Sequence, residues 1–382
     1  MRRLRFCWFS SLVLTTLAGL SPLSPGSSDP SGWNASAAAK YLDQRQRAWM
    51  EFEPAARGQG ENRTSCVSCH TALPYALARP VLRRLTGETR PTEYEEKRVT
   101  ETKKRVANWA ALDTPEFGLL YDFEEVKKQQ SWGTEAVLNA IILAADDEFQ
   151  GRTAPSELTR QAFQHLWRAQ VKEGENSGSW AWLDFGLEPW EAEGGRYFGA
   201  ALAATAVGAA PGYISREAGS LAEESNESDE SMGRLRSYLR AQFSRQNLFN
   251  RLWALRVSSK LSGILSKEEQ KQVMDQIFEK QQADGGFGLA SLGAFQRSDG
   301  TAEDSDSDGY ATGLVVLALR AVGDANHDLR IRRAISWLKA NQAETGEWRG
   351  SSMNKERSPA THEGRFMSDA ATAYAVLALG QP

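Results

Sequence analysis

Cysteine and histidine are scarce in this chain: three cysteines and four histidines occur among 382 residues. Two of the cysteines and one histidine lie together as Cys66-Val67-Ser68-Cys69-His70, and the other histidines (His165, His327, His362) are scattered. A structural zinc site needs four ligands, usually supplied as two such pairs. The absence of a second pair therefore argues against a zinc site.

The spacing Cys-x-x-Cys-His is the attachment pattern of a c-type haem, and at this motif the chain resembles a c-type cytochrome. Cys66 and Cys69 would form the two thioether bonds, and His70 would bind the iron as the proximal ligand. The flanking sequence predicts no strand of a βαβ unit before the motif, which argues against a thioredoxin-like redox pair. We expect one covalently bound haem c; a local disulfide is the main alternative and leaves His70 without a role.

Methionine is missing where a small cytochrome would need it. Such a protein usually carries a Met ligand some tens of residues after the haem motif, but no Met occurs from Thr71 through Ser231. Met50, upstream of the motif, is the first candidate for the distal iron ligand. A Met or His from elsewhere in the chain, or an open distal site, are the alternatives.

Long apolar runs are also absent, except at the amino terminus. Arg2, Arg3 and Arg5 precede an apolar run from Phe6 to Leu20, which a small and Pro-rich stretch follows. Residues 1–28 therefore predict a secretory signal peptide. The run is short for a membrane span, although an uncleaved anchor is the alternative. We expect a periplasmic or secreted protein whose mature chain does not span a membrane.

An excess of positive charge is missing as well. The net charge is −4, and removal of residues 1–28 would take away three arginines and no acidic residue. This balance argues against nucleic acid as a partner. The acidic segment 215–231 is poor in apolar residues and predicts a flexible, solvated loop.

What the chain has in abundance is an internal repeat. Three turns share a Gln, an acidic and Gly-rich stretch and an aromatic residue: 170–180, 282–288 and 342–348. Each turn follows an amphipathic helix (157–169, 267–281, 329–341) and precedes an Ala-rich apolar stretch (199–209, 310–321, 370–379). Amphipathic helices suit an outer layer and wholly apolar helices a buried one, and such pairs must stack on their neighbours.

The pattern predicts an all-α protein built around an α/α toroid, a double ring of outer and inner helices. We place the toroid at residues 130–382 and a small helical, haem-bearing unit before it at residues 29–115.

The Gln…Gly-x-Trp turns between alternating helices resemble the repeats of the squalene–hopene cyclase and protein prenyltransferase superfamily, over roughly residues 130–382. The resemblance implies a central cavity that often holds isoprenoid chains. Zinc-dependent prenyltransferases of this superfamily use a cysteine ligand, and this region contains no cysteine. Among the enzymes of this superfamily, the resemblance therefore points to the cyclases.

Class II cyclases of that family start cyclisation with an Asp-x-Asp-Asp-Thr-Ala motif. The nearest match here runs from Asp306 to Thr312, with Gly309 in place of an acid. The resemblance implies that Asp308, together with Asp306, would act as general acid, its carboxyl kept protonated in a dry cavity. The structural alternative, which the pattern favours, makes Asp308 the N-cap of the inner helix that begins near Tyr310.

Aromatic residues near the turns could line a cavity and stabilise cations, or could fill an ordinary core. They are Trp180, Trp182, Trp190, Tyr197, Phe198 and Tyr310. The repeat positions of Trp180 and Trp348 indicate a turn-locking role for these two.

The main functional expectation is an exported haem protein. It would serve electron transfer with a periplasmic redox partner, or haem-based sensing, and its toroid would bind an isoprenoid or other apolar small molecule or act as a scaffold. The alternative is an isoprenoid-processing enzyme, similar to class II terpene cyclases, that uses Asp308 as general acid.

Overall fold

A computed structural model describes residues 32–118, 124–213, 224–323 and 328–380. The predicted signal peptide, 1–28, lies outside the described residues. Within them the chain forms twelve α-helices: α1 (Ala35–Glu51), α2 (Ala72–Thr86), α3 (Glu93–Ala107), α4 (Glu125–Phe149), α5 (Glu157–Arg168), α6 (Gly195–Ala209), α7 (Glu224–Gln242), α8 (Leu248–Val257), α9 (Lys267–Phe278), α10 (Gly309–Val322), α11 (Leu329–Ala340) and α12 (Phe366–Leu379).

Short elements connect some of these helices in the described parts of the chain. Strands β1 (Ala56–Arg57) and β2 (Thr64–Ser65) pair antiparallel, Ala56 opposite Ser65. Single 3-10 turns lie at Glu53–Ala55, Gly60–Asn62, Trp109–Ala111, Phe243–Arg245, Leu289–Leu292 and Glu363–Arg365.

The even-numbered helices form a closed inner ring. Each contacts the next, from α2 through α4, α6, α8 and α10 to α12, and α12 contacts α2 again. The odd-numbered helices lie outside; α1, for example, packs on α12 and α2, and α11 packs on α10 and α12. The fold is therefore the predicted all-α toroid.

The burial of each layer follows its sequence pattern. On the inner helix α10, every residue from Gly309 to Leu319 is buried. On the outer helix α5, the buried residues form one stripe that recurs every three or four positions, from Thr159 to Trp167. Such a stripe leaves the opposite face of an outer helix to solvent.

The amino-terminal helices belong to this ring, which differs from the predicted separation of 29–115 from 130–382. Helix α2 packs between α12 and α4, and α3 packs on both α2 and α4. Helix α2 is apolar enough to need partners on two sides, and the inner ring supplies them. The ring is incomplete without these helices.

The acidic segment 215–231 also differs in part from the prediction of a loop. Helix α7 begins at Glu224, so the second half of the segment is helical. Residues 214–223 lie outside the described part of the chain.

The repeated turns tie each outer helix to the next one. In each turn a Gln side-chain amide donates to the carbonyl of the turn Gly and to a carbonyl on the following outer helix. The pairs are Gln170 with Gly178 and Ser231, Gln281 with Gly285 and Arg330, and Gln342 with Gly346 and Asn34. In the second turn these hydrogen bonds are made by Gln281. The sequence pattern had indicated its neighbour Gln282.

The last turn closes the ring. Asn34 is the N-cap of α1, as its side chain accepts from the amide of Ala37, and its backbone exchanges two hydrogen bonds with the Gln342 side chain. The indole N–H groups of Trp180 and Trp348 donate to the carbonyls of Leu166 and Leu338, across their turns. This geometry confirms the turn-locking role of the two Trp residues.

We expect Gly346→Ala to lower the free energy of unfolding by about 1–3 kcal/mol. Gly346 has φ +101°, and an added Cβ would lie 2.2 Å from the carbonyl oxygen of Ala37 on α1. Gly300→Ala is the matched control, because Gly300 also has a positive φ (+73°) but has open space around it. Urea unfolding measures both; equal losses in the two variants would contradict the close approach of the turn to α1.

Candidate functional site

A cavity of about 240 Å³ lies at the end of the ring where α2 and α12 begin. The Cys66–His70 segment forms one wall, α1 and the first turn of α12 form a second, and residues 183–191 form a third. Residues of α4 and of the segment 352–364 also line the cavity. Four aromatic side chains line it: Trp49, Phe52, Trp190 and Phe366. The site is thus built from the seam between the first and last helices of the ring.

The middle of the ring is filled by side chains. Tyr310 lies against Tyr374 with ring centroids 5.0 Å apart, and Trp253 lies 5.9 Å from Tyr374 and 5.1 Å from Phe198. All four are buried. Among the six aromatic residues that the sequence singled out, Trp190 lines the cavity, while Phe198 and Tyr310 belong to this packed core.

The two cysteines of the motif face different surroundings. Cys66 lines the cavity, whereas Cys69 is not among the lining residues and lies near the phenol groups of Tyr310 and Tyr374. Burial raises the pKa of Cys66 to about 12 and the pKa of Cys69 well above its ordinary value, so both are neutral thiols. The covalent attachment of one haem c through Cys66 and Cys69, with His70 as iron ligand, stays a prediction.

The His70 imidazole is clamped between aromatic rings. It stacks on Phe366 with centroids 3.8 Å apart and meets Trp49 edge-on at 4.9 Å. The Thr71 hydroxyl donates to Asp369 over 2.6 Å, so it accepts from Nδ1 of His70 over 2.8 Å. This network assigns the proton to Nδ1 and leaves Nε2 as an acceptor. Burial, with the nearby Arg45 guanidinium, holds the pKa of His70 well below its ordinary value, so the ring is neutral.

Asp369 is the polar centre of the seam. Its carboxylate accepts from the Tyr41 hydroxyl, from two nitrogens of the Arg45 guanidinium and from the Thr71 hydroxyl, over 2.6 to 3.0 Å. Burial raises the pKa of Asp369, and the bonds from Arg45, Thr71 and Tyr41 oppose that rise. The partners lie 298 to 328 positions away in sequence, so no local pattern indicates this cluster.

The predicted acid Asp308 is the N-cap of α10. One carboxylate oxygen accepts from the amide of Ala311 over 2.8 Å, and the other accepts from the amide of Leu289 over 2.6 Å. Burial raises the pKa of Asp308 to about 6, although these backbone bonds oppose the rise. Asp308 is not a lining residue of the cavity, and Asp306 is exposed. The structure favours capping, and the catalytic role of both residues stays a prediction.

The predicted distal ligand Met50 is half-buried on α1. It follows Trp49, which lines the cavity, but Met50 is not itself a lining residue. Its role as an iron ligand also stays a prediction.

Sequence reasoning missed Glu191, which lines the cavity. Its backbone is held by bonds of 2.8 Å: its amide donates to Leu187, and its carbonyl accepts from Leu187 and Phe185. Burial raises the pKa of Glu191 to about 7, and the Lys127 ammonium opposes the rise. Glu191 lies in an irregular segment without a motif, so no sequence signal marked it.

Two further observations concern the described residues. No group of three or more His, Cys, Asp or Glu side chains there is arranged to hold a metal ion. No helix of these ranges is both long and apolar enough to cross a membrane.

Comparison with known proteins adds a family match. A family model described as the squalene-hopene cyclase C-terminal domain matches residues 252–381, which include Asp308 and the last two repeated turns. Among solved structures the chain is similar to the apo form of the type II terpene cyclase MstE from Scytonema, with 13% identity and a TM-score of 0.45 over 91% of this chain and 99% of that one. That likeness is too low to support a conclusion. No curated protein matches the chain.

The family match overturns the main functional expectation. It points to the cyclase-like alternative and not to a haem protein for electron transfer or haem-based sensing. The periplasmic redox partner is not tested by these findings and stays a prediction. The periplasmic or secreted location stays a prediction from residues 1–28.

We expect Glu191→Gln to change how stability depends on pH. The pKa of Glu191 in the folded protein, about 7, lies above its ordinary 4.5, so folding favours the protonated form. The wild type should therefore lose about 1–3 kcal/mol relative to Glu191→Gln as the pH rises from 5 to 8. Urea unfolding across this range measures the difference. The exposed neighbour variant Glu193→Gln is the control. Parallel curves for wild type and Glu191→Gln would contradict the raised pKa of this carboxyl.

We expect Asp369→Asn to lower the free energy of unfolding by about 3–5 kcal/mol, because it leaves the Arg45 cation buried without its partner. The two side chains are only 7% and 1% exposed. Glu157→Gln, which removes an exposed ion pair with Arg160, should leave stability nearly unchanged. Thermal and urea unfolding compare the two, and a loss for Asp369→Asn as small as that of the control would refute the role of the cluster.

Proposed function

We propose that the chain is an isoprenoid-processing enzyme of the class II terpene cyclase type, which protonates an unsaturated apolar chain. The match of residues 252–381 to the squalene-hopene cyclase C-terminal domain carries this proposal. The protonation would take place in the cavity at the end of the ring.

The cavity offers what an acid-initiated cyclisation needs. The faces of Trp49, Trp190 and Phe366 can stabilise a carbocation through the negative face of each ring. A carboxyl group kept neutral by burial can supply a proton.

The dimensions of the cavity limit its ligand. About 240 Å³ is below the ~300–1,000 Å³ of common small-molecule sites, so it suits a short isoprenoid or the reacting end of a longer one. Ser352, Arg357 and Gly364 line both this cavity and a neighbouring polar one of about 640 Å³. Only a polar end group of the ligand would suit that second space.

The test is incubation of the purified full chain with farnesol, geranylgeraniol and squalene, followed by mass spectrometry of the products. We expect a cyclic product of unchanged mass from at least one of them, and none from heat-denatured protein. If all three compounds bind but none is converted to a product, the proposal that the chain is an enzyme is refuted.

Asp308→Asn separates the two roles of that residue. Asn is also a good N-cap and keeps the bond from the Ala311 amide, but its NH2 group cannot accept from the Leu289 amide. We therefore expect a stability about 1–3 kcal/mol below wild type and turnover within tenfold of wild type. Product analysis and circular dichroism provide the readouts. Loss of turnover in a folded Asp308→Asn protein would instead make Asp308 the acid.

A further inference from the structure

The carboxyl group of Glu191 lies in the cavity wall and, within the described ranges, makes no hydrogen bond or ion pair. We propose that Glu191 is the catalytic acid of this site, donating its proton to the unsaturated end of an isoprenoid. The inference rests on the proposed function and adds the residue that performs its first step.

The position of Glu191 is fixed by its neighbours. Its backbone makes the three bonds to Leu187 and Phe185 described above. The adjacent Trp190 donates its indole N–H to the Tyr310 hydroxyl on α10, over 2.8 Å, and its carbonyl accepts from the Trp182 indole over 2.8 Å. An acid must be held in place to transfer a proton efficiently, and this segment is anchored to the inner helix α10 at Tyr310 and to its own loop at Trp182.

The other buried acids of this region are already engaged. Asp308 has both oxygens on backbone amides. Glu135, in the cavity wall, accepts from Arg105 and Asn139; burial alone would raise the pKa of Glu135, but Arg105 holds it below its ordinary value. Glu135 is therefore ionised and paired, whereas Glu191 has only the Lys127 ammonium to favour its charged form.

Glu188 is the nearest rival. It lines the same cavity, and burial followed by the charges of Asp184 and Glu193 raises its pKa. It sits at the tip of the turn between the paired residues Leu187 and Glu191, without the backbone bonds that hold Glu191. We therefore assign the proton to Glu191 and use Glu188 as the competing variant.

The step balances without an oxidant or reductant. The O–H bond of the carboxyl breaks, and its proton forms a C–H bond with the π electrons of the terminal alkene. A tertiary carbocation and the Glu191 carboxylate result, and the aromatic faces stabilise the cation. Ring closure uses further π electrons, and loss of a C–H proton from the cyclised cation re-forms an alkene and returns the proton to Glu191.

A binding experiment tests proton donation without turnover. Dodecyldimethylamine is the probe, because after it takes up a proton its ammonium lies next to the carboxylate, as the carbocation does after proton transfer to the alkene. Dodecanol is the control ligand, with the same alkyl chain but no basic group. Calorimetry on the full chain should show that Glu191→Gln weakens amine binding at least tenfold and dodecanol binding less than threefold. The exposed-site variant Glu193→Gln should match wild type for both ligands. Unchanged amine binding in Glu191→Gln, or a loss only in Glu188→Gln, would overturn the assignment.

Turnover gives the second readout. With a substrate that yields a cyclic product, Glu191→Gln should lower kcat at least 100-fold with KM close to wild type, and Glu191→Asp should recover part of the rate. Full turnover in Glu191→Gln would refute the proposal. If the wild type forms no product, the proposed function fails, and the amine measurement alone decides whether Glu191 is the proton donor of the cavity.

Discussion

The ring depends on the buried carboxylate of Asp369 at its seam. The first and last inner helices meet there, and α1 lies over the junction. A carboxylate and a guanidinium are costly to bury, and they repay that cost only when every remaining polar atom finds a partner. Asp369 lies on α12 and meets this condition. Its carboxylate accepts from Tyr41 and Arg45 on α1 and from Thr71, the residue that precedes α2. The geometry of this one group therefore fixes the register of three helices.

The same seam shapes the cavity. Thr71 bonds to Asp369 on one side and to His70 on the other, so closure of the ring also orients the imidazole in the cavity wall. Arg45 extends the connection through its bond to the carbonyl of His362, whose ring stacks near Trp49. A side-chain network that stabilises the fold thus reaches the surface where a ligand would bind, and loosening the seam would displace the wall.

The toroid could be predicted because its signals are local. Apolar spacing separates outer from inner helices, and the recurring Gln, Gly and Trp mark turns whose hydrogen bonds repeat in the structure. The place of α1 and α2 in the ring was not predictable in this way, because their contacts with α12 join residues 298 to 328 positions apart. Glu191 carries no motif, and its position in the cavity wall arises only when residues 183–191 pack against α4 and α10. The Cys66–His70 pattern is strong locally, but the packing around each cysteine is decided by distant helices.

The altered acid motif has a steric cause. Gly309 stands where the family motif has an acid, and an added Cβ there would lie 2.4 Å from the Cβ of Trp348 and 3.3 Å from that of Ala371. Trp348 is locked across its turn by its bond to Leu338, so it cannot yield. A carboxylate at position 309 is thus excluded by the turn that closes the ring, and Asp308 is left with backbone amides as partners. Acid chemistry in this fold then needs a carboxyl from elsewhere, and the cavity wall supplies Glu191 on a segment anchored to the same helix, α10, through Trp190 and Tyr310.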